Sequence, residues 1–393
     1  MQPLKGLTVV TLEHAIAAPF ATRQLADLGA RVIKIERPGV GDFARGYDQR
    51  VRGLASHFVW TNRSKESLTL DVKHPGAAEV LQRLVLEHAD VLVQNLAPGA
   101  AARLGLGYEA LSAQKPSLIV CDISGYGGDG PYRDKKAYDL LIQAEAGFVS
   151  VTGTPEEPCK AGASIADISA GMYAYSNILA ALLERGRTGR GRHIDISMLE
   201  ALTEWTSFPL YYAFDGAPPP PRTGASHATI HPYGPFPTGA DGGSVLFGLQ
   251  NEREWASFCQ TVLQQPALAQ DERFAGNAKR VALREELRAI IVEAFAHLTA
   301  PQVVQRLEAA QIANARVNTM QEVWAHPQLQ ARGRWREVGS PAGALPALLP
   351  PGSWQEEPRM DPVPALGEHT DAILAELGLD AAAIAALREA KAI

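Results

Sequence analysis

Short apolar runs and helical-period stretches alternate along the first two hundred residues of the chain. Residues 7–12 read as a buried strand, 15–28 as a helix rich in small residues, and 31–36, RVIKIE, as a second strand. A strand, a helix and a strand in close succession form a βαβ unit, which argues for a parallel sheet in an α/β fold. The pattern resumes with a helix at 76–86 and strands at 90–94 and 117–123. Further on, Met172, Tyr173, Tyr175, Ile178, Leu179, Leu182 and Leu183 keep helical spacing, so a long helix is predicted from 167–169 to the RGRTGRG turn. A strand at 192–196 and a helix at 199–214 follow.

The run GAPPPPRTGASH breaks every regular pattern and marks a domain boundary. Beyond it, a hairpin is predicted to turn on Asp241-Gly242-Gly243, with amphipathic helices at 252–264, 283–296, 301–310 and 320–326. Residues 340–360 are again rich in Pro and Gly and read as an extended surface linker. Two capped helices close the chain, begun by Thr370 and Asp380. Between the first two strands and the helix at 76–86, residues 38–73 carry Arg45, Arg50, Arg52, Arg63, Lys65 and Lys73 among Tyr47, Phe58 and Trp60. Such a stretch is expected to be a solvated loop; an anionic nucleotide with a base to stack is the functional alternative.

At 393 residues the chain exceeds one ordinary hydrophobic core, so two domains are expected. A formal charge of −6 lacks the cationic excess that nucleic acid or an anionic membrane would select, and neither is an expected partner. Three scattered cysteines form no disulfide framework. Together with a beginning that runs directly into a strand, they point to a reduced, cytoplasmic protein. No apolar run approaches the roughly twenty residues of a membrane helix. The ten histidines form no HxxxH or HExxH pattern, so no metal is expected. After the first strand the loop reads EHAIAAP rather than GxGxxG, which counts against a dinucleotide-dependent dehydrogenase.

One acid stands out by position. Asp167 lies where a small-residue loop becomes the long helix. There an aspartate is most often an N-cap for unpaired N–H groups. The same N–H groups and the helix dipole also keep a carboxylate ionised and aimed, as a nucleophile towards an activated acyl group requires. Position leaves both readings open.

Five separated blocks narrow the choice: PLKGLTVVTLEH with LADLGARVIKIERPGVGDFARG, NRSKESLTLDVKHPGA, DVLVQNLAPGAAARLG, the Asp167 segment through GRTGRGRHIDISML, and the tail LGEHTDAILAELGL. In this order they resemble the family III CoA-transferases, the CaiB/BaiF family. The resemblance implies a Rossmann-like large domain built from both chain ends, here 1–215 and 331–393. It also implies a smaller inserted α+β domain at 216–330 and an interlocked, ring-like homodimer. Asp167 matches the family's nucleophile, which attacks an acyl-CoA thioester and passes through anhydride and aspartyl-CoA thioester intermediates. Coenzyme A thioesters are then substrates, and no permanently bound cofactor is implied. Arg37, Lys73, Arg103 and Lys136 match cations on the phosphate side of CoA. Leu70, Asn95, Leu96 and Tyr138 match adenine and pantetheine contacts, and Ile16 and Ala17 match the loop beside the thioester. The small residues Ala161, Gly162, Ala163, Ala170 and Gly171 let backbone N–H groups approach.

Departures from the family pattern guide the substrate. The family's oxalate-using prototype has glutamine where this chain has Ile16, and a glycine-rich flap where this chain has PPPPRTGASHATIHPYG, so oxalate is not expected. Succinyl-CoA as donor and a short dicarboxylic acid such as itaconate, mesaconate, glutarate or malate as acceptor are expected instead. The distal carboxylate calls for a cation or donor from among Arg45, Arg50, Arg52, Arg222, His227 and His231, with Tyr47 and Asp139 also expected at the substrate. Racemase members of the family carry a histidine where Ala137-Tyr138-Asp139 has tyrosine. A 2-methylacyl-CoA racemase and an inert CoA-binding subunit are the alternatives.

Overall fold

The structure is a computed structural model and describes residues 2–352 and 357–393. Two compact units divide the chain. The first contains the described residues up to Gly147, Ala161–Ser207 and Leu329–Ile393; the second contains Phe148–Lys160 and Phe208–Gln328. The first break after the long helix therefore comes at Ser207 rather than 215, and Phe148–Lys160, expected with the large domain, falls in the second unit.

The first unit is built on a six-stranded sheet of β1 (Thr8–Leu12), β2 (Arg31–Glu36), β3 (Lys65–Thr69), β4 (Val91–Gln94), β5 (Ile119–Ser124) and β6 (His193–Ser197). Its strands run parallel in the order β3-β2-β1-β4-β5-β6. Strand order reverses between β1 and β4, which opens a crevice at their carboxyl ends. Successive side chains on a strand face opposite ways. Val10, Leu12, Ile33, Ile35 and Leu68 turn to one face, where Leu81 and Leu84 of the helix Pro75–His88 and Ile373 and Leu374 of the tail helix Thr370–Glu376 complete an apolar core. Each of these leucines and isoleucines removes enough apolar surface to contribute roughly 1.5–3 kcal/mol.

The alternate positions carry Thr11, Lys34, Glu36 and Ser67, and this is where expectation and structure part. Residues 38–73 are no solvated loop: they hold the helix Ser56–Asn62 and β3, and Arg63 and Lys65 are buried. Glu13 accepts from Lys65 Nζ at 2.6 Å, Lys34 Nζ at 3.3 Å, Thr22 Oγ1 at 2.6 Å and Thr11 Oγ1 at 2.9 Å. Lys34 Nζ also donates to Asp42 at 2.8 Å, and the Asp42 amide donates to Glu36 at 3.0 Å. Arg45 forks onto Glu36 at 2.8 and 2.7 Å and lies 3.7 Å over the Phe58 ring. Three acids, Glu13, Glu36 and Asp42, thus balance Lys34, Lys65 and Arg45. Buried charge survives only when matched and hydrogen-bonded in this way.

Elsewhere the differences are local. The stretch expected as one helix at 199–214 is two, Met198–Trp205 and Ser207–Tyr212. The helix after Asn251 runs only over Glu252–Ser257 before its turns widen through Phe258–Val262. A hairpin that pairs Trp335–Val338 with Leu345–Leu348 places its second strand in the supposed linker 340–360. Its residues 353–356 lie outside the described residues. Thr370 does not cap its helix with its side chain; the hydroxyl accepts from the Thr69 amide at 3.1 Å. Asp380 does cap, accepting from the Ala383 amide at 2.8 Å.

The second unit holds the predicted hairpin, Tyr233–Pro237 with Ser244–Gly248, extended by Asn314–Ala315. Phe236, Phe247, Phe258, Phe295, Leu287, Ile291 and Val303 fill its core. Among the described residues no single helix is long and apolar enough to cross a membrane.

Burial alone would raise the Glu13 carboxyl, but Lys65 and Lys34 pull it down from its ordinary 4.5 to about 2. A depressed carboxylate adds stability that is complete above its unfolded value and lost on acidification. Stability from this group is therefore expected to drain away as the pH falls from 4.5 towards 2. Glu13→Gln leaves two buried ammonium groups under-matched and should cost about 3–5 kcal/mol in urea unfolding at neutral pH. In the same titrations its acid-induced loss should be shallower than that of the parent.

Candidate active site

Asp167 is the third residue of the helix Ile165–Thr188, and it does not cap that helix. Ser164, at the cap position, makes no side-chain cap bond either. The first-turn amides of Ala166 and Asp167 donate instead to Asp139 Oδ1, at 2.8 and 3.2 Å. Asp139 opens the neighbouring helix Asp139–Glu145, and its other oxygen accepts from Gln143 Nε2 at 2.6 Å. Gln143 in turn accepts from the Ala161 amide at 2.9 Å, which ties the approach loop to the same helix. A second acid has taken over the capping duty, so the Asp167 carboxylate is free for other work.

The backbone N–H of Ala17 faces that carboxylate and favours its ionised form. Ala17 is the first residue of the helix Ala17–Asp27, whose own cap position, Ile16, offers no side-chain acceptor. Asp167 thus serves the start of a foreign helix while riding in the first turn of its own, and both positive helix ends converge on it. Close approach of the two helices requires Gly171, where a Cβ would stand 2.7 Å from the Ala17 carbonyl oxygen and 2.9 Å from the Phe20 ring.

Burial pushes the Asp167 carboxyl up from 3.8 to about 7, and the negative Asp139 adds to the rise; the Ala17 N–H works against both without cancelling them. Burial and the neighbouring acid win. A carboxylate near neutrality is both partly ionised and more basic than a surface aspartate, which suits a nucleophile. The Tyr47 phenol is pushed up to about 12, by burial first and then by Asp42, Asp167 and Tyr138, so it stays a neutral hydroxyl beside the acid. Tyr47 packs edge-on to His57 and tilts against Phe43, which stacks on His14.

The loop after β1 carries the Ala17 amide and is held on both flanks. Asn95, just past β4, accepts from the His14 amide at 2.8 Å and donates to the His14 carbonyl at 2.9 Å. Asp42 accepts from the Ala15 amide at 3.1 Å, and Ala15 has a φ of 62°, left-handed backbone that an alanine rarely takes. The site therefore stands at the carboxyl ends of β1 and β4, where the strand order reverses.

Of the residues picked from sequence, Asp167, Ala17, Ile16, Tyr47, Tyr138 and Asp139 come together around this point. Ile16 and Leu70 are buried, so neither side chain presents a surface to a ligand. Asn95 braces the loop, and Leu96 packs partly buried against the apolar core. Arg37, Lys73, Arg103 and Lys136 are exposed, and protonation of His14 is disfavoured by burial first, then by Lys34 and Arg37. Arg45 is committed to Glu36, and Arg52 donates to the Ala344 carbonyl at 3.0 Å, while Arg50 is exposed. In the second unit Arg222 binds the carbonyls of Thr154 and Pro155, both at 2.8 Å. His227 stacks on Tyr233, and His231 is buried, its imidazole held down to about 4 by burial and by Arg284, Arg288 and Arg280. Missed from the sequence were Glu13, Lys34 and Asp42. Lys34, a charge inside the apolar run RVIKIE, was the available signal. Among the described residues no group of His, Cys, Asp and Glu could hold a metal.

The profile of CoA-transferase family III matches residues 4–370. The chain is similar to succinate–glutarate CoA-transferase of Agrobacterium fabrum, 37% identical over 387 residues, spanning 95% of this chain and 96% of that protein. Its identity to the succinyl-CoA:glutarate CoA-transferase of Homo sapiens is 33% over 383 residues, 96% of this chain and 86% of that one. The crystal structure of a CAIB/BAIF family protein from Brucella suis matches with a TM-score of 0.83 at 36% identity, covering 96% of this chain and 99% of that chain.

A titration of the protein carrying carboxyl-13C aspartate should show one carboxyl with a midpoint near pH 7, absent from Asp167→Ala. In Asp139→Asn the amide oxygen can keep the helix amides while the negative charge is gone. That midpoint should then move to lower pH; an unmoved midpoint would assign the whole rise to burial.

Proposed function

The chain belongs to the family III CoA-transferases, and on that premise we propose that it moves coenzyme A from succinyl-CoA to a short dicarboxylic acid through a covalent intermediate on Asp167. The observation that carries this reading is the release of Asp167 from capping by Asp139, which leaves a raised, half-buried carboxylate aimed by the Ala17 amide. In the first step a carboxylate oxygen of Asp167 attacks the thioester carbonyl and the CoA thiolate departs, leaving a mixed anhydride. The thiolate then attacks the aspartyl carbonyl of that anhydride, releasing the donor acid and leaving an aspartyl-CoA thioester. The acceptor carboxylate runs the two steps in reverse. Negative charge gathers on oxygen at each stage, and a fixed backbone N–H beside it stabilises that charge without reorganising.

Carrier and cargo call for different groups. Exposed Arg37, Lys73, Arg103 and Lys136 suit the phosphates of CoA, the arginines as planar forks and the lysines as point charges. Glutarate is the acceptor favoured within the dicarboxylate class, since relatives spanning nearly the whole chain carry glutarate in their names. With Arg45, Arg52 and Arg222 engaged and His231 buried, Arg50 is the arginine we assign to the distal carboxylate. Proton exchange at the 2-carbon, as a racemase performs, calls for an acid/base group, and this chain has Tyr138 where racemase members carry histidine. We further propose the interlocked homodimer of the family: exposed Phe208, Tyr211 and Phe214 present the apolar surface that a second subunit covers.

Asp167→Ala should abolish CoA exchange and leave CoA binding nearly intact. Hydroxylamine added to the parent enzyme with succinyl-CoA should trap Asp167 as a hydroxamate, read by peptide mass spectrometry. A matrix of acyl-CoA donors against C4 to C6 dicarboxylic acids should show the fastest thioester formation with succinyl-CoA and glutarate. Undiminished exchange in the alanine variant would overturn the mechanism, and a faster monocarboxylate acceptor would overturn the substrate class.

A further inference from the structure

Ala15 occupies left-handed backbone, φ 62°, two residues before the amide that faces Asp167. A Cβ disfavours that conformation, so it persists only where the surroundings hold it. The hold is a carboxylate. Asp42 Oδ1 accepts from the Ala15 amide at 3.1 Å and from the Ala44 amide at 2.9 Å, while Oδ2 takes Lys34 Nζ at 2.8 Å. Asp42 cannot swing away, because its own amide is fixed to Glu36 at 3.0 Å and its side chain is fully buried.

We propose that Asp42 is a positioning residue for acyl transfer: it holds Ala15 in its left-handed conformation and thereby sets the Ala17 N–H onto the Asp167 carboxylate. Nothing in this role touches substrate. The chain of constraint runs from Lys34 through Asp42 to the Ala15 peptide, then through Ile16 to the first amide of the next helix. An error of a few tenths of an ångström at Ala15 is passed to a donor whose worth depends on aim. This inference rests on the reading of Asp167 as nucleophile.

The test is the rate at which succinyl-CoA forms the hydroxylamine-trappable Asp167 adduct, with KM for succinyl-CoA measured alongside. Asp42→Ala removes the acceptor that holds the Ala15 amide, and Lys34 retains Glu13 at 3.3 Å. It should slow adduct formation about ten- to a hundredfold, the range for losing one aimed donor, with KM little changed. Adding Ala15→Gly removes the Cβ that resists left-handed backbone, and the double variant should recover most of the loss. A variant that leaves the buried charges alone is Ala15→Val, whose branched side chain tolerates positive φ still less; it should lose adduct formation with its unfolding midpoint within a few degrees of the parent. Adduct formation unchanged in Asp42→Ala or Ala15→Val, or a loss that Ala15→Gly does not recover, overturns the positioning role. Absence of any Asp167 adduct in the parent enzyme instead overturns the nucleophile reading, and this inference with it.

Discussion

The structure depends on a requirement of electrostatics: the face of the sheet opposite its apolar core is charged, and charge away from water must be balanced. Glu13, Glu36 and Asp42 meet Lys34, Lys65 and Arg45 with almost no exposure to solvent. Each ion gives up several kcal/mol of hydration, and mutual attraction restores it only where the geometry is close and the remaining lone pairs are occupied. Those conditions hold here, since Thr11, Thr22 and Ser67 supply hydroxyl donors to the same acids. A purely apolar layer would give as much stability. What it would lack is direction, because a carboxylate such as Asp42 can hold a particular peptide and a leucine cannot.

Direction matters because the chemistry is set by where one carboxylate points and what it is asked to do. An aspartate in the first turn of a helix usually satisfies that helix, a role worth about 1 kcal/mol. Here Asp139 supplies the cap from another element, and Asp167 is left to meet the Ala17 amide. The same Asp139 charge raises the carboxyl it frees. One residue therefore both releases the nucleophile and makes it more basic, on top of the larger rise that burial causes. The unfavourable environment of Asp167 is tolerated because the rest of the sheet is over-determined.

How much of this was legible in the sequence follows from the range of the interactions. The βαβ opening, the strand at the end of the long helix and the Asp241-Gly242-Gly243 hairpin were readable because period and turn chemistry are local. β3 was not: KESLT opens on two charges and has a single apolar residue, Leu68, and Lys65 looks like a cation of a solvated loop until its buried partner Glu13 is seen. Asp167 could be singled out by its position and its resemblance, yet its freedom from capping could not, because the cap comes from a residue 28 positions away. Asn95 showed the reverse error. Read as a ligand contact, it spends both ends of its amide on the His14 peptide.

These differences in range also divide the tasks of the enzyme between two kinds of residue. Cations proposed to grip CoA are exposed, where a single charge pair is worth at most about 1 kcal/mol and is screened by salt. Affinity for the carrier must then be spread over several such groups, and no one of them decides it. Alignment of the nucleophile is the opposite case, because it rests on buried, mutually dependent bonds in which the loss of one partner strands another. Substitutions in the exposed set should therefore act in small, nearly additive steps on binding. Those in the buried set should act together on the rate of transfer, so that the residues farthest from the substrate are the ones least free to vary.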